Sequence, residues 1–169
     1  IDMGDIPITT VEAMDGTGST FTPNMTTLAL TYANAFSDKA RFGVSVKSIT
    51  ESIPRASASA LALDAGVQYE NLNDIQGLGI ALALKNIGTD MHYTGSGLTT
   101  MASEDNLEDF YNVEASHDKL PSTFDMAVSY KVSGATLAAT YTSHNFRYDD
   151  LTLGAEYELM DMVFLRGGM

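Results

Sequence analysis

Apolar residues recur at every second position along most of this chain. Leu28, Leu30, Tyr32 and Phe36 share one parity, while Thr27, Ala29, Thr31, Ala33 and Ala35 occupy the other. The same alternation sets Phe42, Val44 and Val46 against Gly43, Ser45 and Lys47. It then sets Leu61, Leu63, Ala65, Val67 and Tyr69 against Ala62, Asp64, Gly66, Gln68 and Glu70. Leu78, Ile80, Leu82 and Leu84 follow, interleaved with Gly79, Ala81, Ala83 and Lys85. After a gap the pattern resumes at Phe124, Met126, Val128, Tyr130 and Val132, then at Leu137, Ala139 and Tyr141. Leu151, Leu153, Ala155, Tyr157 and Leu159 continue it, and Val163 and Leu165 end it against Phe164 and Arg166. A period of two sends successive side chains to opposite faces of a strand, so about eight strands are predicted, each with one apolar and one small or polar face. No window carries a helical stripe. The predicted fold class is all-β, an antiparallel up-and-down meander.

The connections sharpen this. Ser37–Ala40, Asn71–Asp74, Ser133–Gly134 and Met160–Asp161 are short and built from turn-forming residues. Thr50 to Ser57, Gly88 to Pro121 and Ser143 to Asp150 read as longer links. Short and long connections thus alternate, the layout of bacterial barrels with tight periplasmic turns and longer extracellular loops. Residues 94–121 are expected to form a long, solvated, acidic extracellular loop carrying Glu104, Asp105, Glu108, Asp109 and Glu114.

A soluble sandwich also alternates. Three features favour a barrel in lipid. Gly, Ala, Ser and Thr dominate the second face of every strand, as a crowded lumen requires. Tyr32, Tyr69, Tyr130, Tyr141 and Tyr157 recur toward the ends of the apolar faces, where an amphipathic ring suits the headgroup level. The strands run roughly 9–13 residues, the length of a tilted membrane strand. The chain therefore reads, over residues 1–169, as a single segment of a transmembrane outer-membrane β-barrel. Leu28, Leu30, Val44, Leu63, Val67, Leu82, Val128, Leu137 and Leu153 are expected to face lipid. Ile1 at the start and the abrupt Arg166–Met169 end suggest a barrel incomplete at both ends.

Charge removes other classes. Nine Lys plus Arg against 22 Asp plus Glu give a net charge of −13, which repels phosphate backbones, and no basic patch offsets it. Nucleic acid is excluded as a partner. With no Cys there are no disulfides, thiolate metal sites or Cys nucleophiles. No apolar run is long enough for a transmembrane helix.

The residues that carry a family resemblance begin at Thr9 and run through Ile53, including Ser37-Asp38-Lys39 and Phe42-Gly43-Val44-Ser45-Val46-Lys47-Ser48-Ile49. The order continues through Ala56–Tyr69, Gly77–Tyr93, Leu120–Tyr130 and Leu151–Met169. Together they resemble the PorV/PorQ-like outer-membrane proteins, a FadL-related β-barrel family, over its central and C-terminal part. The family's Asn-Pro-Ala-Gly-type amino-terminal motif is absent. The resemblance implies residence in the bacterial outer membrane. It also implies a non-enzymatic role linked to type IX secretion, with outer-membrane lipid, secretion-system proteins or secreted cargo as partners. Alternatives are a FadL-like channel for hydrophobic small molecules and a soluble secreted β-sandwich used for adhesion.

Chemistry-bearing motifs are few. Asp15-Gly16-Thr17-Gly18 lacks the second carboxylate of an aspartic protease and the closing acid of a calcium loop, so it reads as a Gly-rich turn. His92, His117 and His144 are scattered without ligand spacing, which argues against zinc. No Gly-x-Ser-x-Gly element occurs. No catalytic residue, cofactor or metal site is expected. The candidate functional residues are instead the charges on the small-residue faces: Lys47, Asp64, Lys85, Asp125, Lys131, Glu156 and Arg166. On a barrel wall these would form a lumen charge network, either structural or a selective polar constriction.

Overall fold

A computed structural model describes residues 4–104, 107–113, 115, 117–160 and 162–169, with the backbone alone for 102–104, 107–109 and 112. A small antiparallel ribbon, β1 (Ile6–Pro7) with β2 (Thr20–Phe21), precedes the long strands. These are β3 (Asn24–Ala35), β4 (Ala40–Ile53), β5 (Ala56–Glu70) and β6 (Leu78–Gly88). Shorter strands follow: β7 (Met91–Thr94), β8 (Thr99–Glu104), β9 (Leu107–Asn112) and β10 (His117–Asp118). The long strands resume with β11 (Thr123–Val132), β12 (Ala135–His144), β13 (Asp150–Met160) and β14 (Val163–Gly168). In the main sheet each long strand pairs with the long strand before and after it in sequence. The fold is an all-β antiparallel meander, and no α-helix occurs among the described residues. β3 to β6 and β11 to β14 each overlap one of the eight segments that the alternation marks.

Two compact units divide the chain, one containing residues 1–29, 47–61 and 88–120, the other 30–46, 62–87 and 121–169. In the second unit, β11 lies between β6 and β12 with Val128 opposite both Ile80 and Ala139. Ser133 and Gly134, both at positive φ (47° and 78°), close the β11–β12 hairpin in the manner of a two-residue type I′ turn. The β5–β6 link extends to Gly77, and Asn71 Oδ1 accepts the Gly77 amide at 2.9 Å. Near the end of β6, Asn86 adopts φ 57°, and both Leu84 and Ile87 are exposed. One extra residue there resets the parity, as a β-bulge does. The bulged amide donates to the Asp64 carboxylate at 2.8 Å, and the Asn86 side chain donates to the Pro121 carbonyl at 2.9 Å.

Exposure is inverted relative to a water-soluble sheet. On β5, Ala58, Ala60 and Ala62 are 3%, 4% and 1% exposed, whereas the intervening and following Leu61 and Leu63 are 58% and 52% exposed. The large apolar residues of β6, β11 and β13 are likewise exposed at Leu82, Met126, Val128 and Leu153.

The first unit corrects two expectations. Thr50 to Ser57 is not a long link: β4 and β5 continue to a two-residue turn at Pro54–Arg55. Pro54 presets its own φ and Arg55 takes φ 69°, so the chain reverses at once. Strict alternation of short and long connections is therefore lost at this point. The segment from Gly88 to Pro121 is not a structureless loop either. β7 pairs with the start of β5, β8 and β9 form a hairpin, and β10 returns to β7. The local reason is visible at Thr89. Its amide donates to the Leu61 carbonyl at 2.9 Å, and its hydroxyl accepts the Leu61 amide at 3.1 Å. The side chain thus continues the ladder where the strand breaks. Of the acidic residues expected on this loop, Glu104, Glu108 and Asp109 sit on the β8–β9 backbone. Asp105 and Glu114, like Asp161 of the last turn, lie outside the described residues.

Candidate functional site

The register sorts the small-residue face of the second unit into rows. One row runs from Asp125 on β11 to Thr142 on β12 and Asp150 on β13. Lys85, two positions from the β11 partner of Asp125, reaches that carboxylate at 2.7 Å. With Asp64 on the Asn86 amide, the row is a polar belt near one end of the strands. It continues into the β12–β13 link. There Arg147 pairs with Asp150 at 2.6 Å, and Asp149 accepts the Tyr141 hydroxyl at 2.6 Å. That hydroxyl, with the His144 backbone amide, holds the Asp149 carboxyl below the usual range. Nε2 of His144 lies 3.0 Å from Asp150 and 2.9 Å from the Arg147 guanidinium. The tautomer decides which contact forms: Nε2–H donates to Asp150, while a bare Nε2 accepts from Arg147.

A second charged row crosses near the opposite strand ends. Lys131 faces Thr136, Thr136 faces Glu156, and Glu156 faces Arg166. Arg166 donates from Nε to the Glu156 carboxylate, as their placement either side of the final turn requires. Between the two rows lie Ala81, Ala127, Thr140 and Thr152, then Gly79, Ser129, Ala138 and Gly154. Asp125 and Lys131 are six positions apart, roughly 20 Å along a strand. Within the second unit, the candidate charges therefore fall into two groups at opposite strand ends. Lys85, Asp125 and Asp64 belong to the first belt, and Lys131, Glu156 and Arg166 to the second. Lys47 lies on β4 in the other unit. The cause is simple: parity fixes the face of a residue but not its height along the strand.

Glu156 and Arg166 are a solvated cross-strand pair, so their coupling should be small. A double-mutant cycle with Glu156→Gln and Arg166→Gln is expected to return about 0.2–1 kcal/mol in equilibrium unfolding. A coupling indistinguishable from zero would mean that the β13–β14 register is not held by this pair.

Two further pairs lie at the strand ends and turns, outside the seven candidate charges. Lys39 meets Asp74 at 2.5 Å, and Arg41 meets Glu70 at 2.5 Å. The first pair raises the Lys39 pKa and lowers that of Asp74, through the hydrogen bond first and charge second.

The first unit holds a hollow of about 500 Å³ lined by His92, Tyr93, Ser96, Thr99 and Val113, among others. Tyr93 donates its hydroxyl to the Glu51 carboxylate, and this bond, with burial, pushes its pKa from 10.0 to about 12. A folded pKa above the unfolded one means that the contribution to stability is present below pH 10 and is lost as pH rises toward 12. Spectrophotometric titration at 295 nm should show a late-ionising tyrosine component that is reduced in Glu51→Gln. An unchanged titration in that variant would break the assignment.

The structure also overturns the expectation that the histidines are scattered. His92 and His117 are direct partners across β7 and β10, with ring centroids 4.6 Å apart and planes at 23°. Their distance along the chain carries no signal of this, because the pairing of a two-residue strand cannot be read from spacing. No family model, no curated protein and no solved structure matches this chain.

Proposed function

We propose that this chain forms part of the wall of a bacterial outer-membrane β-barrel, with the apolar faces of its long strands against lipid and the small-residue faces toward a polar interior. One observation carries the reading. On β4, β5, β6 and β11, exposed Leu, Val, Met and Ile alternate with buried or half-buried Ala, Gly and Ser, an arrangement unfavourable in water and favourable in hydrocarbon. The register supports it. On the apolar face, the row of Ile80, Val128 and Leu153 lies two rows from Phe124 toward one end and two rows from Tyr157 toward the other. Aromatic rings flanking an apolar band suit two membrane–water interfaces. The polar belt and the Glu156–Arg166 row would then lie inside the barrel near its two rims. A β-sandwich would instead bury the apolar rows.

The finer assignment, a non-enzymatic role of the PorV/PorQ type in type IX secretion, rests on the sequence resemblance. The two parts are tested separately. Fractionation of cells carrying the intact protein should leave it in the outer membrane after an alkaline carbonate wash, with heat-modifiable migration in detergent gels. Release into the soluble fraction would refute the barrel. Deletion of the gene should trap type IX cargo inside the cell; normal cargo display would refute the secretion role and leave the barrel standing.

A further inference from the structure

We infer that His92 and His117 form a surface site for a divalent transition-metal ion, with Cu²⁺ the best match. Both side chains are exposed, so burial does not force the rings together. The antiparallel pairing of β10 with β7 does so, by placing the residues directly opposite one another. No protein hydrogen bond holds a ring nitrogen of either residue among the described residues. The pair thus offers two imidazole donors that are free to turn about χ2.

Two nitrogens bound to one ion at about 2.0–2.1 Å stand roughly 3.3 Å apart in tetrahedral geometry and closer in square-planar geometry. Stacked rings do not aim their in-plane lone pairs at one point, so binding turns both rings out of the stack about χ1 and χ2, from centroids that already stand 4.6 Å apart. His92 also lines the hollow of about 500 Å³, which leaves room for the waters that would complete the coordination. Among the described residues no group of three or more His, Asp or Glu could hold a metal. The site is therefore a two-donor one, exchangeable rather than structural. Nitrogen donors with open positions favour Cu²⁺ over Ni²⁺ and Zn²⁺. The net charge of −13 raises the local concentration of any cation.

His144 is the internal control. Its Nε2 already faces the Arg147 guanidinium at 2.9 Å, and a neighbouring cation repels a metal ion.

The test is titration of the untagged, intact protein in detergent with Cu²⁺ near neutral pH, read by calorimetry and by electron paramagnetic resonance. One ion per chain is expected, with hyperfine splitting from two nitrogens. His92→Gln and His117→Gln should each weaken binding roughly tenfold or more and leave one-nitrogen spectra, whereas His144→Gln should change neither. Circular dichroism of each variant checks that the sheet persists. Binding that survives both His92→Gln and His117→Gln, or that is lost in His144→Gln, would overturn the site. So would the absence of a two-nitrogen signal in the parent. Acylation of the histidines followed by mass spectrometry needs no substitution: Cu²⁺ should protect His92 and His117, and equal labelling with and without the ion would also overturn the site.

Discussion

Arginine in place of Val128 is expected to destabilise the protein in a bilayer by roughly 2–4 kcal/mol, while arginine in place of Val132 should cost only about 0–1 kcal/mol. Both residues are on the apolar parity of β11, and their exposures are nearly equal at 45% and 44%. In water the two substitutions would be equivalent. In lipid, depth separates them. Val128 pairs with Ile80 and Ala139 in the middle of the apolar face, far from either end of its strand. Val132 is the last residue of β11, directly before the Ser133–Gly134 turn, where an arginine side chain can reach the headgroups. Leu82, opposite Met126, is one row from the middle and should give an intermediate penalty when replaced by arginine. Equilibrium unfolding by guanidinium in vesicles measures all three. Equal losses at Val128 and Val132 would remove the case for a membrane-spanning β11.

How much of the fold is legible in the sequence follows from which physical signals are local. Parity is local, and it places Leu82, Val128 and Leu153 on one face and Ala83, Asp125 and Gly154 on the other. Two-residue turns are local as well, and Ser133-Gly134 fixes the β11–β12 register from which Asp125 and Thr142 become partners. Glu156 and Arg166 can be matched for the same reason, across one short turn.

What stays hidden is non-local. Whether Lys85 and Glu156 share a network depends on height along strands that are not adjacent, and no spacing encodes that. Pro54-Arg55 reads as part of a long link because the apolar alternation fades at Thr50. The strand continues there on polar side chains, since backbone pairing needs no apolar face. The β7–β10 ribbon is concealed by its brevity: two residues carry no periodicity, and so nothing in the sequence marks His92 and His117 as a pair.

The second large effect is expected at Gly77, where substitution by alanine should destabilise the protein by about 3 kcal/mol. Two independent strains meet at this residue. Its φ is +83°, which a residue with a Cβ adopts at a cost of about 1 kcal/mol or more. A Cβ built there would also lie 2.1 Å from the Lys131 carbonyl oxygen and 3.0 Å from its carbon, both of them backbone atoms. No rotamer change relieves such a contact, so the β11 backbone must move. Movement breaks the bond from the Lys131 amide to the Gly77 carbonyl, now 2.9 Å, and loosens the Asn71 cap on the Gly77 amide. Gly134 separates the two causes. Its φ of +78° is nearly the same, yet the nearest atom to a Cβ is the Glu158 carbonyl oxygen at 3.5 Å, an ordinary contact. Gly134→Ala should therefore show the conformational penalty alone, about 1 kcal/mol, and Gly134→Asn less, because Asn tolerates positive φ. Chemical unfolding of the three variants in one detergent measures the difference. If Gly77→Ala loses no more than Gly134→Ala, the close approach of the β5–β6 turn to the end of β11 is not a constraint on the fold.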